Sequence, residues 1–355
     1  MIKHSCLDQQ FADFNWNLLR DIVAKGDFTL GNAVQEFEQN FANLIGTKHA
    51  IGVGSGTDAI KLSLRACGVQ PGDEVITSGN TFFATVGAIC ELGAKPVFVD
   101  CDDTFCMDPM DIEDQINWNT TAIVPVHLTG YVCNMLDIMG IAKKAGLSVV
   151  EDACQAVGAP GAGTWGRANA FSLHPLKNLN VWGDGGVITT NDDSLAEDLR
   201  LLRNHGLKDR DTVIRLGYNS RLDSIQAAVG NWMLPKLPET IHIRRDNAAF
   251  LDYGFHDIKQ IRIPQRPVTR STFHLYVIFA EQRDYLLAHC QANSIDAKVH
   301  YPIPAYRQPA LGPPSRVLPN VDRHAREMIT LPCHQYLTDA DREHVVQTVR
   351  SFYGS

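Results

Sequence analysis

No stretch of the chain approaches the ~20 uninterrupted apolar residues that a membrane-spanning helix needs, and no run of it is rich in lysine or arginine. Its 32 Lys+Arg are outnumbered by 40 Asp+Glu, leaving a formal charge of −8. Nucleic-acid binding needs a concentrated cationic surface, so neither nucleic acid nor membrane is an expected partner. Cysteine is present but unorganised. Cys6, Cys67, Cys90, Cys101, Cys106, Cys133, Cys154, Cys290 and Cys333 form no Cys-x-x-Cys pair and have no histidine at zinc-finger spacing. Such a set reads as buried small hydrophobes in a reducing compartment, with no metal site. The N-terminus, Met1-Ile-Lys-His-Ser-Cys-Leu-Asp8, lacks the apolar core of a signal peptide, and Asp8 and Asp13 suit no transit peptide. A cytoplasmic location is expected. Internal repeats and low-complexity tracts are lacking as well.

What is there is an ordinary folded composition, 45% hydrophobic and 20% charged over 355 residues, long enough for two domains. Short β-rich runs at His49–Gly54, Glu74–Ser78, Pro96–Asp100, Ala122–His127, Ser148–Asp152, Ala170–His174 and Gly186–Thr190 alternate with helical patterns. Ala59–Ala66, Ala84–Leu92, Leu136–Lys144 and Leu195–Asn204 are examples of the latter. Several of the strands are continuous apolar runs, as expected of a sheet covered on both faces. The alternation predicts an α/β fold with a mostly parallel, doubly wound sheet. A long connecting helix is expected around Asp223–Leu234. Beyond residue 235 prolines punctuate shorter strands, His274–Ala280 and Ala297–His300, with helices at Arg283–Asn293 and Asp339–Phe352. This divides the chain into 1–234, the N-terminal segment with the large domain, and 235–355, a smaller α+β domain.

Three segments carry chemistry. Phe171-Ser-Leu-His-Pro-Leu-Lys177 places Ser172 and Lys177 after a predicted strand and before a Gly-rich turn. Most lysines are solvated surface charges, but small and apolar flanks suit a lysine held in a cavity, where desolvation frees the amine as a nucleophile. Val150-Glu-Asp-Ala-Cys-Gln155 puts Asp152 at the C-terminal end of an apolar strand, where open α/β sheets gather their ligands. Asp152 reads either as a helix cap or as a buried carboxylate awaiting a cation, such as a protonated ring nitrogen. Gly52-Val-Gly-Ser-Gly-Thr57 is a Gly-rich turn into a helix, able to hold one phosphate group. It is neither the dinucleotide fingerprint nor a nucleotide P-loop.

Amine, carboxylate and phosphate cradle together describe pyridoxal 5′-phosphate (PLP) chemistry. Along most of its length the chain resembles the DegT/StrS family of PLP-dependent sugar aminotransferases, within the aspartate-aminotransferase-like fold type I. The resemblance implies covalent attachment of the cofactor at Lys177 and a phosphate contact from Ser172. It implies Asp152 as the partner of the pyridine nitrogen, Gln155 beside the ring, and Gly56 and Thr57 at the phosphate. Phe82, in Asn80-Thr-Phe-Phe-Ala-Thr85, matches the family's ring-stacking aromatic. Asn219, in Gly217-Tyr-Asn-Ser-Arg-Leu-Asp223, matches an asparagine that reaches the neighbouring subunit's phosphate, which implies a homodimer. Lys177 and Asp152 are the expected catalytic residues.

The resemblance also implies the reaction. An amino acid, L-glutamate in the first instance, gives its nitrogen in a ping-pong cycle to a keto-sugar that is nucleotide-linked or phosphorylated; an aminocyclitol precursor is the alternative acceptor. Relatives with histidine at the lysine position dehydrate or deoxygenate instead, and here Lys177 stands. A desulfurase would need a reactive cysteine, for which Cys333 is poorly placed. A non-catalytic regulatory protein on this fold would be expected to lose Lys177 or Asp152. Thr129 replaces a tyrosine carried by many relatives, and the stretch from Gly158 to Arg167 is short. Lys298, Arg307 and Arg221 are candidates for anionic groups of the substrate, and His174 reads as structural.

Overall fold

Alternating apolar strands and helices wind into one seven-stranded sheet. The computed structural model describes residues 1–354. Its strands are β1 (His49–Val53), β2 (Glu74–Ser78), β3 (Lys95–Val99), β4 (Thr120–Val124), β5 (Ser148–Asp152), β6 (Ala168–Ser172) and β7 (Gly186–Thr190), in the order β1-β7-β6-β5-β4-β2-β3. The strand ends fall within two or three residues of the expected ones. Neighbours from β3 through β6 are parallel. β7 is the exception, antiparallel to both β6 and β1. An antiparallel neighbour needs no crossover helix, so β6 and β7 are joined directly by the loop that carries Lys177.

Successive residues on these strands point to opposite faces, and each face has its own core. Ala122, Val124 and Val150 join Ile51, Ile60 and Leu62 on one side. On the other, Ile123 and Val149 pack with Ile138, and Phe171 and Val187 with Phe37 and Phe41. This is why the strands read as uninterrupted hydrophobic runs. The C-terminal ends of β1, β2, β4, β5 and β6 all open on one edge, which positions the site.

The second part is built on β8 (Ile261–Arg262), β9 (Tyr276–Ala280) and β10 (Met328–Leu331), antiparallel in the order β10-β9-β8. Helices Arg283–Ala292 and Asp339–Tyr353 pack on it, the latter started by a Thr338–Asp341 capping box. The expected connecting helix forms as Ser224–Met233, and a single turn at Pro235 leads into a further helix, Leu237–Phe255, that the sequence pattern had not marked. Leu237 and Ile241 lie in the large core, Leu251 and Phe255 in the small one, so the second helix spans both. The expected strand Ala297–His300 is not formed. Lys298 pairs with Thr330 alone, because Asp296 already bonds Ile2 of the N-terminal segment on the other side and Pro302 and Pro304 follow. No helix of the described residues is long and apolar enough to cross a membrane.

Candidate active site

At the C-terminal edge of the sheet lies a cavity of about 490 Å³, floored by strand ends and walled by the small sheet's side of the molecule. Lys177 lines it. The loop between β6 and β7 is pinned around this residue: Leu173 N–H donates to Gly185 O at 2.8 Å, Val181 N–H to Leu173 O at 2.9 Å, and Asn180 Nδ2 to Lys177 O at 3.0 Å. Desolvation holds the Lys177 ammonium below its ordinary pKa, against the opposing pull of Cys154 and Asp152. No acid forms an ion pair with it among the described residues.

Asp152 ends β5 and is buried against the same cavity. Its Oδ2 accepts from Thr85 Oγ1 at 2.7 Å and its Oδ1 from Cys154 N–H at 3.1 Å. Both are neutral donors, so the carboxylate has no cation of its own. Its sequence neighbour Glu151 faces the other way. Glu151 pairs with buried His127 at 2.7 Å and accepts from the amides of Gly163, Trp165 and Gly166. Burial pushes this carboxyl up, but His127 and the amides outweigh it and leave it below its usual range. Glu151 thereby holds the short stretch from Gly158 to Arg167 in place.

Ser55 caps the helix Gly56–Ala66, its Oγ accepting from Asp58 N–H at 3.1 Å. The first amides of a helix have no partner within it, and here Gly56 and Thr57 present theirs at the cavity. A Cβ on Gly56 would stand 2.7 Å from Ser172 Cβ and 3.2 Å from Cys154 Sγ, so only glycine lets the helix start this close to β6. Ser172 and Phe82 also line the space, Phe82 with 58% of its surface exposed and its ring 6.0 Å from that of Tyr301. Gln155 lines it too, but its Oε1 is occupied, accepting from Thr129 N–H at 2.7 Å and holding that residue at φ 63.

Lys177, Asp152, Gln155, Ser172, Gly56, Thr57 and Phe82 thus meet in one cavity. Asn219 does not: it is exposed, bridged to Asn204, beyond Ser220, which bonds Asp58 Oδ2 at 2.7 Å. A desolvated amine, a carboxylate with no counter-ion, free helix amides and an exposed aromatic face are the set that an aldehyde with a pyridine ring and a phosphate requires, and the residues fit PLP.

Of the residues suggested for substrate anions, Lys298 lines the cavity paired to Asp296 at 2.9 Å. Arg307 does not line it: Asp322 takes it bidentately at 2.7 and 2.6 Å. Arg221 bonds Asn204 instead. Cys333 is buried, donates to Arg244 O, and its thiol is pushed up to about 12 by burial, which leaves no nucleophile there. His174 lines the cavity with its Nδ1 accepting from Leu176 N–H. Sequence reasoning missed His4, Arg244 and His274, all in the cavity wall. They come from segments with no motif of their own, and nothing local in the sequence marks them.

Residues 10–350 match a family described as the DegT/DnrJ/EryC1/StrS aminotransferase family. The chain is 41% identical to a pleiotropic regulatory protein of Geobacillus stearothermophilus, over 98% of this chain and 97% of that one. It is 39% identical to the UDP-2-acetamido-2-deoxy-3-oxo-D-glucuronate aminotransferase of Pseudomonas aeruginosa, over 91% of each. Among solved structures it resembles S. venezuelae DesV, with a TM-score of 0.96, 35% identity and coverage of 100% and 99%.

Proposed function

The chain belongs to the DegT/DnrJ/EryC1/StrS aminotransferase family and is a PLP-dependent aminotransferase; on that premise we propose that it moves an amino group from L-glutamate to the keto group of a nucleotide-linked sugar or sugar phosphate, in a ping-pong cycle. The observation that carries this reading is one juxtaposition: the desolvated, unpaired amine of Lys177 and the cation-free carboxylate of Asp152 share a cavity. The nucleotide-sugar substrate in the Pseudomonas relative's name supports the acceptor class. The regulatory name of the Geobacillus relative does not argue for a binder here, since both catalytic candidates are present.

When bound, PLP supplies the electron sink that stabilises negative charge at the reacting carbon. The chain's own residues do the rest. Lys177 would hold the cofactor covalently and, once released as a free amine, would carry the proton between the donor's Cα and the cofactor, work that its lowered pKa favours. Asp152, fixed by Thr85 and the Cys154 amide, would set a negative charge against the ring nitrogen. The Gly56 and Thr57 amides and Ser172 would hold the phosphate, with Phe82 and Gln155 at the ring. The partner subunit's Asn219 completes the phosphate site, so the working unit is a homodimer in the cytoplasm.

The test incubates PLP-loaded enzyme with L-glutamate and a panel of keto-sugar nucleotides, keto-sugar phosphates and a keto-cyclitol, scoring 2-oxoglutarate release and amine product. Turnover with a keto-sugar is expected. Turnover with the cyclitol alone would move the acceptor to the aminocyclitol class, and no release with any acceptor would overturn the reading.

A further inference from the structure

Arg244 sits in the middle of the helix Leu237–Phe255 and is buried, yet it lines the cavity opposite the strand ends. Its Nη1 donates to two main-chain oxygens, Phe273 O at 2.9 Å and His274 O at 3.4 Å. Its Nε is buried with no partner at all, and so is Nδ1 of His274 beside it. No carboxylate pairs with it among the described residues. Burying a guanidinium without a counter-ion is strongly unfavourable, and bracing two carbonyls does not require a charge. An anion entering the cavity would meet that charge.

The other cations of the cavity are committed. Lys298 is tied to Asp296, and Lys177 is the reacting amine of the proposed function. The lining histidines His4, His174, His274 and His300 are each held below their ordinary value, first of all by burial. Among the described residues, Arg244 is therefore the one permanent, unpaired cation of the cavity wall. A sugar acceptor need not be acidic at this end, but every amino-acid donor brings an α-carboxylate and every keto-acid product carries it away. A planar guanidinium matches a carboxylate in shape and charge.

Resting on that reading of the reaction, we propose that Arg244, assisted by His274, binds the α-carboxylate of the amino donor and orients its Cα toward Lys177.

The experiment uses the PLP-loaded full chain as wild type, Arg244→Lys and Arg244→Gln. Single-turnover conversion of the cofactor, read by absorbance, is compared for L-glutamate and its α-amide, which lacks only that charge. The wild type is expected to favour glutamate by about 10- to 150-fold, the range of a hydrogen bond to a charged group. Arg244→Gln should erase the difference and Arg244→Lys keep part of it. The ratio of two donors within one variant is not moved by loss of a merely structural brace. Calorimetric binding of 2-oxoglutarate should weaken by a similar factor in Arg244→Gln, while binding of UDP-glucuronate and UDP-glucose stays unchanged. Loss of UDP-glucuronate binding alone would assign the site to an acidic acceptor and overturn the donor assignment. So would a wild type that treats glutamate and its α-amide alike. If no amino acid converts the wild-type cofactor, the proposed function falls, and 2-oxoglutarate binding decides separately: equal affinity in wild type and Arg244→Gln overturns the role of Arg244.

Discussion

Thr85 gives its hydroxyl proton to Asp152 Oδ2 at 2.7 Å and lies 2.9 Å from the hydroxyl of Thr81, so a short chain of neutral donors sets the carboxylate's angle. Asp152 is expected to touch the cofactor, and Thr85 acts through it as a positioning residue. Thr85→Val keeps the shape and removes the donor. A hydrogen bond to a charged group contributes about 1.5–3 kcal/mol, and each 1.36 kcal/mol is tenfold in rate, so turnover should fall at least about tenfold. KM for the donor should stay within about twofold, and Thr85→Ser should restore the rate. Steady-state kinetics of the three proteins check this; an unaltered kcat in Thr85→Val would remove Thr85 from the site. Lys177 and Asp152 could be singled out because Asp152 ends one apolar strand and Lys177 lies in the loop that leaves the next, where local sequence reports both the strand and its exit. Arg307 was a misleading candidate for the opposite reason. It lies in a segment that borders the cavity, but its fate is set by Asp322 on the helix Pro319–Glu327, and no local pattern announces that ion pair.

The helix Gly56–Ala66 contributes to the site by where it begins, and that start depends on a missing methyl group. Gly→Ala inside a helix ordinarily stabilises by about 0.5–1 kcal/mol. At Gly56 the added Cβ would meet Ser172 Cβ at 2.7 Å, in a strand that cannot retreat, so the steric term wins. Gly56→Ala should lift the helix start from β6 and weaken cofactor retention by about tenfold or more, measured as PLP dissociation from the holoenzyme. Gly140, on the exposed side of the helix Met135–Ala145, has nothing within 4 Å of its would-be Cβ. Gly140→Ala should stabilise the chain by about 0.5–1 kcal/mol, seen as a higher denaturant midpoint, with retention unchanged. Matching losses in both variants would show that the close approach at Gly56 has no special role. At this scale the sequence was most readable: hydrophobic runs marked the seven large-sheet strands and Gly-Ser-Gly-Thr marked the helix start. It was silent on the direction of β7, because an apolar run looks the same in either orientation.

How the two parts and the N-terminal segment meet was not readable, since Ile2 pairing with Ile295 and His4 lining the cavity depend on contacts across nearly the whole chain. Those junctions are rich in histidine, buried at His324 and His334 and half-buried at His4 and His300. His4 stacks on His300 with centroids 5.5 Å apart, and His334 Nε2 lies 3.2 Å from Lys3 O. His324 joins Cys101 and Asp103, each at 3.2 Å. Burial is the first cause holding His4 at about 3 and His300, His324 and His334 at about 4, and it holds His274 low as well. Unfolded, each would titrate near 6.5. Below that value the unfolded chain binds protons that the folded chain refuses. The stability these residues contribute is therefore complete above about pH 6.5 and is lost as pH falls toward about 4, with a limiting slope of about 1.4 kcal/mol per pH unit for each histidine. Carboxylates whose folded pKa is depressed, such as Asp257 at about 2, act in the same direction but mainly below pH 4, so they do not account for losses above pH 5. Scanning calorimetry should show a level Tm from pH 8 to 7 and a steep decline from 6.5 to 4.5. His4→Asn and His334→Asn should each flatten that decline, whatever they do to the plateau. A Tm unchanged between pH 7 and 5 would mean that these histidines titrate in the fold as they do in the unfolded chain, and the junctions would then need a different account.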